Sequence, residues 1–180
     1  MSPETSILVS LLLPLATCPV IGLVGSRPNV RDAISFIAGL LTFGTVLTLL
    51  PHVQLGVYPA LSLFEILPGV SLAFRVEPLG MIFGLVASGL WIVTGVYGVG
   101  YMRGHHEVDQ TRFFFFFAFA ITAALGVAYA ANLLTLFVFY ELLTLSTYPL
   151  VTHARTPEAL RGGRIYLGIL LSTSVAFLLL

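Results

Sequence analysis

The sequence contains no lysine, a single cysteine and few charges of either sign. Charged residues make up 9% of its 180 residues, whereas a soluble domain carries about 25%. All eight residues of the lysine and arginine type are arginines, which effectively never release their proton. Among the basic side chains, only the histidines could therefore release and rebind a proton. The one cysteine, Cys18, can form neither an internal disulfide nor a metal site by itself. With zero net charge, nothing in the composition points to nucleic acid.

The sequence does contain long apolar stretches, each near the roughly 20 residues that a membrane-spanning helix needs. Six of them predict an all-α polytopic membrane protein of about six transmembrane helices, folded as one domain over residues 1–180. We expect the first stretch to be a retained helix rather than a signal peptide, because Glu4 precedes it, no basic residue does, and Pro14 and Pro19 interrupt it. The predicted spans are 7–24, 33–50, 78–101, 112–130, 133–152 and 165–180.

The segment between spans two and three is less hydrophobic and contains a pattern with a period of two. Apolar residues at 70, 72, 74 and 76 alternate with smaller or polar ones, which is typical of a β-strand. Residues 62–67 form a weaker strand candidate, and Pro68-Gly69 lies between the two. Pro-Gly favours a type II turn, which fits a tight two-residue hairpin poorly. We therefore expect a short, loosely connected surface β-hairpin here.

Small residues recur at a spacing of four in span three, at Gly80, Gly84 and Ser88. Small residues allow helices to approach closely in lipid. This half of span three is therefore predicted to contact another helix at short range.

The arginines are concentrated in alternate loops. Basic residues accumulate in cytoplasmic loops, so the odd-numbered loops are predicted to be cytoplasmic and the N-terminus to lie outside. Only Arg75, in loop two, falls on the other side. The seven others are Arg27 and Arg31 in loop one, Arg103 and Arg112 in loop three, and Arg155, Arg161 and Arg164 in loop five.

One carboxylate, Glu141, lies near the middle of span five, roughly 12 Å from either end at about 1.5 Å per residue. A charged carboxylate at that depth costs about 2.5–3.5 kcal/mol. Such a residue is expected either to act in ion or proton transfer or to lock helices together, and both remain open. Thr144 and Tyr148 follow on the same helical face, and His153 stands at the end of the span. We predict Glu141 to be a proton relay with these three residues as its path.

A second cluster, His105-His106-Glu107-Val108-Asp109, contains residue types that bind metals. It lacks the i, i+4 histidine spacing of a helical zinc motif, and it lies in a short polar loop. We expect no metal and no cofactor. A membrane metalloenzyme that uses this loop remains the alternative, which metal analysis of purified protein would test.

Two stretches resemble a known family. Gly100-Tyr101-Met102 is followed by Arg112-Phe113-Phe114, and the segment 131–150, ANLLTLFVFYELLTLSTYPL, is followed by Thr156-Pro157-Glu158-Ala159 and Tyr166-Leu167. Together they resemble the antiporter-like subunits shared by Mrp-type monovalent cation/proton antiporters and respiratory complex I. The resemblance is strongest to the D-type subunits of the Mrp antiporters.

The resemblance implies a fold of fourteen helices in two inverted repeats of five, each with a broken helix, of which this chain would be the N-terminal third. The family's fifth-helix glutamate falls on Glu141. Family members pair it with a lysine on the seventh helix, and a further lysine passes the proton on; this chain contains neither. Where Ile165 stands, family members often have lysine, although Arg164 lies beside it.

The function implied by the resemblance is a subunit of a multisubunit cation/proton antiporter in the bacterial cell membrane. Its expected partners are other membrane subunits, protons, a cation such as sodium, and the lipid bilayer. The homologous proton-pumping subunit of a redox-driven complex, such as complex I or a membrane-bound hydrogenase, is an open alternative; it would hold no redox centre of its own. A structural fragment without transport activity is another.

Overall fold

A computed structural model describes residues 1–178 of the chain. Within this range the protein is helical, with one β-hairpin between the second and third long helices, which confirms the predicted fold class. The elements are α1 (Pro3–Leu23), α2 (Pro28–Leu47), α3 (Leu50–Gln54), β1 (Ala60–Leu67), β2 (Val70–Arg75), α4 (Pro78–Gly104), α5 (Gln110–Ala128), α6 (Leu133–Val151) and α7 (Pro157–Leu178).

Five helices within residues 1–178 are long and apolar enough to cross a membrane. They correspond to the first five predicted spans, with α2 and the short α3 forming one stretch, Pro28–Gln54. The sixth predicted span corresponds to α7, which begins eight residues earlier than expected, at Pro157. Thr156 explains this start, because its hydroxyl accepts a hydrogen bond from the Ala159 amide (3.1 Å) and proline is favoured at the first helical position. The predicted end of that span, Leu180, lies outside the described residues.

The helices pack around α5, which contacts α1, α4 and α6, while α2 bridges α1 and α4 and α7 packs on α6. The predicted close approach of α4 is confirmed. A Cβ placed on Gly80 would overlap the Ala128 carbonyl group, and one on Gly84 would lie 2.5 Å from the Tyr129 hydroxyl. The α4 backbone meets the Ala128 backbone at Gly80 and the Tyr129 side chain at Gly84, so only glycine leaves room for the contact.

The hairpin is tighter than the sequence predicted. Leu67 pairs directly with Val70, so the connection consists of only Pro68 and Gly69, and Gly69 takes a positive φ of 81°. The expectation of a loose connection is therefore wrong. Two irregularities in the pairing register precede the turn on β1; such bulges increase the local twist, which compensates for a turn type that suits a hairpin poorly.

Strand β2 fixes the hairpin to the connection between α5 and α6. The Arg75 amide donates to the Tyr129 carbonyl oxygen (2.7 Å), and the Ala131 amide donates to the Ala73 carbonyl oxygen (2.9 Å). Phe74, between them, is fully buried. The hairpin thus covers the end of the helix bundle where the even-numbered loops lie.

Loops one, three and five meet at the opposite end of the bundle. Arg112 donates to the His153 carbonyl oxygen (3.0 Å), Arg155 forms an ion pair with Asp109 (2.8 Å), and Arg31 bonds to residues at the start of α5. The loops that carry seven of the eight arginines therefore belong to one face of the molecule.

Candidate functional site

Glu141 lies near the middle of the 19-residue helix α6. That helix begins at a fixed point, because the Asn132 side chain accepts a hydrogen bond from the Thr135 amide (2.8 Å), which caps the helix start. Glu141 as a whole residue is half-buried. Because α6 starts at this cap, the distance of Glu141 from the beginning of the helix is well defined.

The Glu141 carboxylate forms a hydrogen bond to α7. The Ser174 hydroxyl donates a hydrogen bond to its Oε1 atom, and Ser174 is only 5% exposed. The other oxygen, Oε2, is buried and has no hydrogen-bond partner among residues 1–178. Sequence reasoning missed Ser174; the signal was the run Ser172-Thr173-Ser174 within an otherwise apolar stretch.

Two further residues of the predicted path follow Glu141 along α6, and one of them, Tyr148, contacts α7. Thr144 is buried and follows Glu141 by one helical turn. Tyr148, another turn on, places its ring against Gly163 of α7, where an added Cβ would lie 3.1 Å from the ring and would overlap Thr152. The glycine therefore allows α7 to approach this face of α6 closely.

His153 occupies a different position. Its ring packs edge-on against Phe113 of α5, with 5.8 Å between the ring centroids, and Arg112 binds its backbone carbonyl group. Both ring nitrogens are buried without hydrogen-bond partners in the described part of the chain. The structure thus places His153 at the arginine-rich end but towards α5, and not on the face that holds Glu141 and Tyr148.

A buried ion-pair cluster lies at the same end and was not predicted. Asp32 binds both Arg31 (2.7 Å) and Arg103, and the Arg31 and Asp32 side chains are only 3% and 8% exposed. Because α2 begins at Pro28, Asp32 lies inside the helix and not in the preceding loop, where the apolar pattern had placed it. Arg31 also lies 4.9 Å from the ring centroid of Phe114. The cluster connects α2 to α4 and α5.

The loop with metal-binding residue types is used for other contacts. His105 stacks on Tyr101 with 4.3 Å between centroids, and Asp109 pairs with Arg155. Over residues 1–178, no three histidine, cysteine or acidic side chains come together in a way that could hold a metal ion.

Comparison with known proteins reveals distant relatives. The chain is 26% identical over 175 residues to the putative antiporter subunit mnhD2 of Staphylococcus aureus (strain JH9), which covers 96% of this chain and 34% of that protein. It is 27% identical over 122 residues to the putative antiporter subunit mnhA2 of Staphylococcus haemolyticus (strain JCSC1435), covering 67% of this chain and 15% of that protein. No family model matches the sequence.

The fold itself matches a solved structure. A chain of the membrane-bound sulfane sulfur reductase, an archaeal respiratory membrane complex, superposes with a TM-score of 0.76 at 17% sequence identity, over 89% of this chain and 33% of that one. The chain is a distant relative of the antiporter-like membrane subunits. It is an integral membrane protein, and it spans about a third or less of the length of the proteins that it matches.

Proposed function

We propose that the antiporter-like chain is part of an ion-translocating subunit of a multisubunit monovalent cation/proton antiporter, and that Glu141 relays protons within it. The observation that carries the proposal is the Glu141 carboxylate itself. It lies in the middle of an apolar helix, and one of its oxygens is buried without a partner among residues 1–178. Ionisable residues inside membrane helices are expensive to retain and mostly functional.

The direction of the path follows from the order of polar groups along α6. Thr144 and Tyr148 follow Glu141 towards the arginine-rich end, and Tyr148 contacts α7. Successive groups are about 4.5–6 Å apart along the helix axis, so water molecules would have to connect them. His153 stands at the end of this path but faces α5, and both of its ring nitrogens are buried. Water molecules would therefore have to connect it both to Tyr148 and to the solvent.

The remaining parts of the proposal concern the assembly. The chain would form the N-terminal third of a fourteen-helix subunit, and the lysines that complete the proton path would lie in spans that follow residue 180. Its partners would be other membrane subunits, with protons and a cation such as sodium as the transported ions. It would lie in the bacterial cell membrane with its arginine-rich face in the cytoplasm, as the arginine distribution favours.

A second candidate is a proton-pumping subunit of a redox-driven membrane complex. The observation that favours it is the fold, which matches a chain of an archaeal respiratory membrane complex. Purification of the intact assembly distinguishes the two, since iron–sulfur subunits would accompany the chain only in a redox complex.

Replacement of Glu141 by glutamine tests the proposed relay. The amide keeps the size and hydrogen-bonding capacity of the side chain but cannot carry a proton, so cation-dependent proton exchange by the full assembly in inverted vesicles should fall by about 10²-fold or more. Exchange would be followed with a pH-sensitive dye after addition of sodium.

The matched control is Glu158→Gln, which changes an exposed carboxylate in the first turn of α7. It should leave exchange unchanged. If Glu141→Gln also exchanged at the wild-type rate, the carboxylate would only fasten α6 to α7 through Ser174, and the relay would be excluded.

A further inference from the structure

Ser174 differs from the neighbouring hydroxyl groups on α7 in the hydrogen-bond acceptors that it can reach. Among residues 1–178, Ser172 and Thr173 donate only to carbonyl oxygens of their own helix, for example at 2.7 Å to Gly168 and 2.9 Å to Ile169. Ser174 has two acceptors within reach, the Glu141 Oε1 atom and the carbonyl oxygen of Leu171, 3.1 Å away. The first of these acceptors belongs to another helix, α6, and its carboxylate group can itself take up a proton.

A serine hydroxyl has one proton to donate and two lone pairs that accept. When the Glu141 carboxylate is ionised, the Ser174 proton can point to Oε1. When Glu141 is protonated, its own O–H can donate to the Ser174 oxygen, and the serine proton can turn to the Leu171 carbonyl group. Both arrangements use the same heavy-atom positions, so the helices need not move between them.

The packing of α6 on α7 holds these atoms together. Gly163 fits against Tyr148 and Thr152 near the arginine-rich end of the helix pair, and the Tyr166 and Thr147 hydroxyl groups lie 3.5 Å apart further along. Ser174 itself is buried, so water does not replace its contact with Glu141 at low cost.

We propose that Ser174 is a positioning residue that keeps Glu141 hydrogen-bonded in both of its protonation states by rotating its hydroxyl group. This proposal deepens the proposed relay function of Glu141. An arriving proton forms an O–H bond on the Glu141 carboxylate, and Ser174 keeps its own proton throughout, so no proton passes through the serine. Within residues 1–178 none of the ion pairs involves Glu141, and the Ser174 hydroxyl donates a hydrogen bond to its carboxylate.

Infrared difference spectroscopy of the full chain in lipid vesicles tests this directly. The C=O stretching band of protonated Glu141 would be identified by its absence in Glu141→Gln during a pH titration. In Ser174→Ala the band should shift to higher frequency, because the carboxyl O–H loses its acceptor. Ser174→Thr keeps a hydroxyl group and should restore the wild-type frequency.

Two further variants complete the experiment. Ser172→Ala, which removes an exposed hydroxyl group on the same helix, should leave the band in place. Ser174→Cys, with a weaker acceptor, should give an intermediate shift and replaces the alanine variant if that one does not fold. A Glu141 band at the wild-type frequency in a folded Ser174→Ala or Ser174→Cys protein would overturn the proposal.

The spectroscopic result is independent of transport. If Glu141→Gln retained full cation/proton exchange while Ser174→Ala shifted the band, the relay function would fail and the role of Ser174 would stand. If exchange were lost in Glu141→Gln but the band did not respond to Ser174, the relay would stand and the positioning role would fail.

Discussion

Replacement of Asp32 by asparagine should destabilise the protein more than any other single change of a charged side chain in the arginine-rich end. Asp32 is the only acidic group that contacts Arg31 among residues 1–178, and both side chains are almost fully buried. Asparagine has nearly the same shape but no charge. The variant therefore leaves the Arg31 guanidinium charge buried and uncompensated, a change that costs about 3–5 kcal/mol in general.

The structure places the expected loss at the lower end of that range. Arg31 keeps hydrogen bonds to Gln110 (3.0 Å) and Thr111 (3.2 Å) and its contact with the Phe114 ring. These neutral groups hold the guanidinium but do not neutralise it. Arg103 is 41% exposed and can turn to water, so its lost pair adds little. We expect the free energy of unfolding to fall by about 3 kcal/mol.

Unfolding in mixed detergent and SDS micelles measures this loss. The single tryptophan, Trp91, is 1% exposed within α4 and reports the unfolding by its fluorescence. The matched control is Glu77→Gln, because Glu77 pairs with Arg75 at 3.5 Å while their side chains are 59% and 50% exposed. That variant should change stability by about 0.5 kcal/mol or less.

A double variant separates charge from packing. Arg31→Met with Asp32→Leu removes both buried charges at once and should recover most of the stability that Asp32→Asn loses. The reasoning would be refuted if Asp32→Asn unfolded at the same SDS fraction as Glu77→Gln. An uncompensated buried charge should lower the free energy of unfolding far more than the loss of an exposed ion pair does.

Two other predictions concern helix packing and orientation. Gly84→Ala would bring a Cβ to 2.5 Å from the fully buried Tyr129 side chain, so we expect a loss of about 1–3 kcal/mol in the same unfolding assay. Gly95→Ala, on the same helix with nothing within 4 Å of the added Cβ, should be neutral or slightly stabilising, and equal losses in both would contradict the close approach. For orientation, a cysteine at exposed Ser62 on the hairpin should react with a membrane-impermeant maleimide in intact cells, and one at exposed Gly162 only in inverted vesicles; the reverse pattern would place the arginine-rich face outside.

Linear patterns in the sequence were enough to locate most elements. Apolar stretches located the five helices that are long and apolar enough to cross a membrane. The period of two located β2, and the weaker candidate 62–67 located β1, each within two residues of the observed bounds. The spacing of Gly80 and Gly84 indicated a close helix contact before its partner was known. These features are local, since hydrophobic length and side-chain periodicity are properties of neighbouring residues.

The connections were less predictable. The hairpin closes with a two-residue turn, and two register irregularities on β1 add local twist next to a turn type that suits a hairpin poorly. The start of α7 depends on the Thr156 cap. Asp32 looked like a loop residue because the apolar stretch begins after it, yet α2 extends back to Pro28 and carries Asp32 into the protein. Hydropathy locates the apolar part of a helix, not its polar first turns.

The depth of Glu141 in a membrane helix and the collection of the arginines on one face both follow from position along the chain, so the amino-acid order is enough to predict them. Which neighbour the carboxylate meets depends instead on how the helices pack. Helices in lipid are not driven together by hydrophobicity, and their rotation about one another depends on small residues and polar contacts. Gly163 allows α7 to pack closely on α6, where Ser174 lies beside Glu141. His153 packs against α5 instead. The spacing of residues within one helix does not indicate which neighbouring helix each side chain contacts.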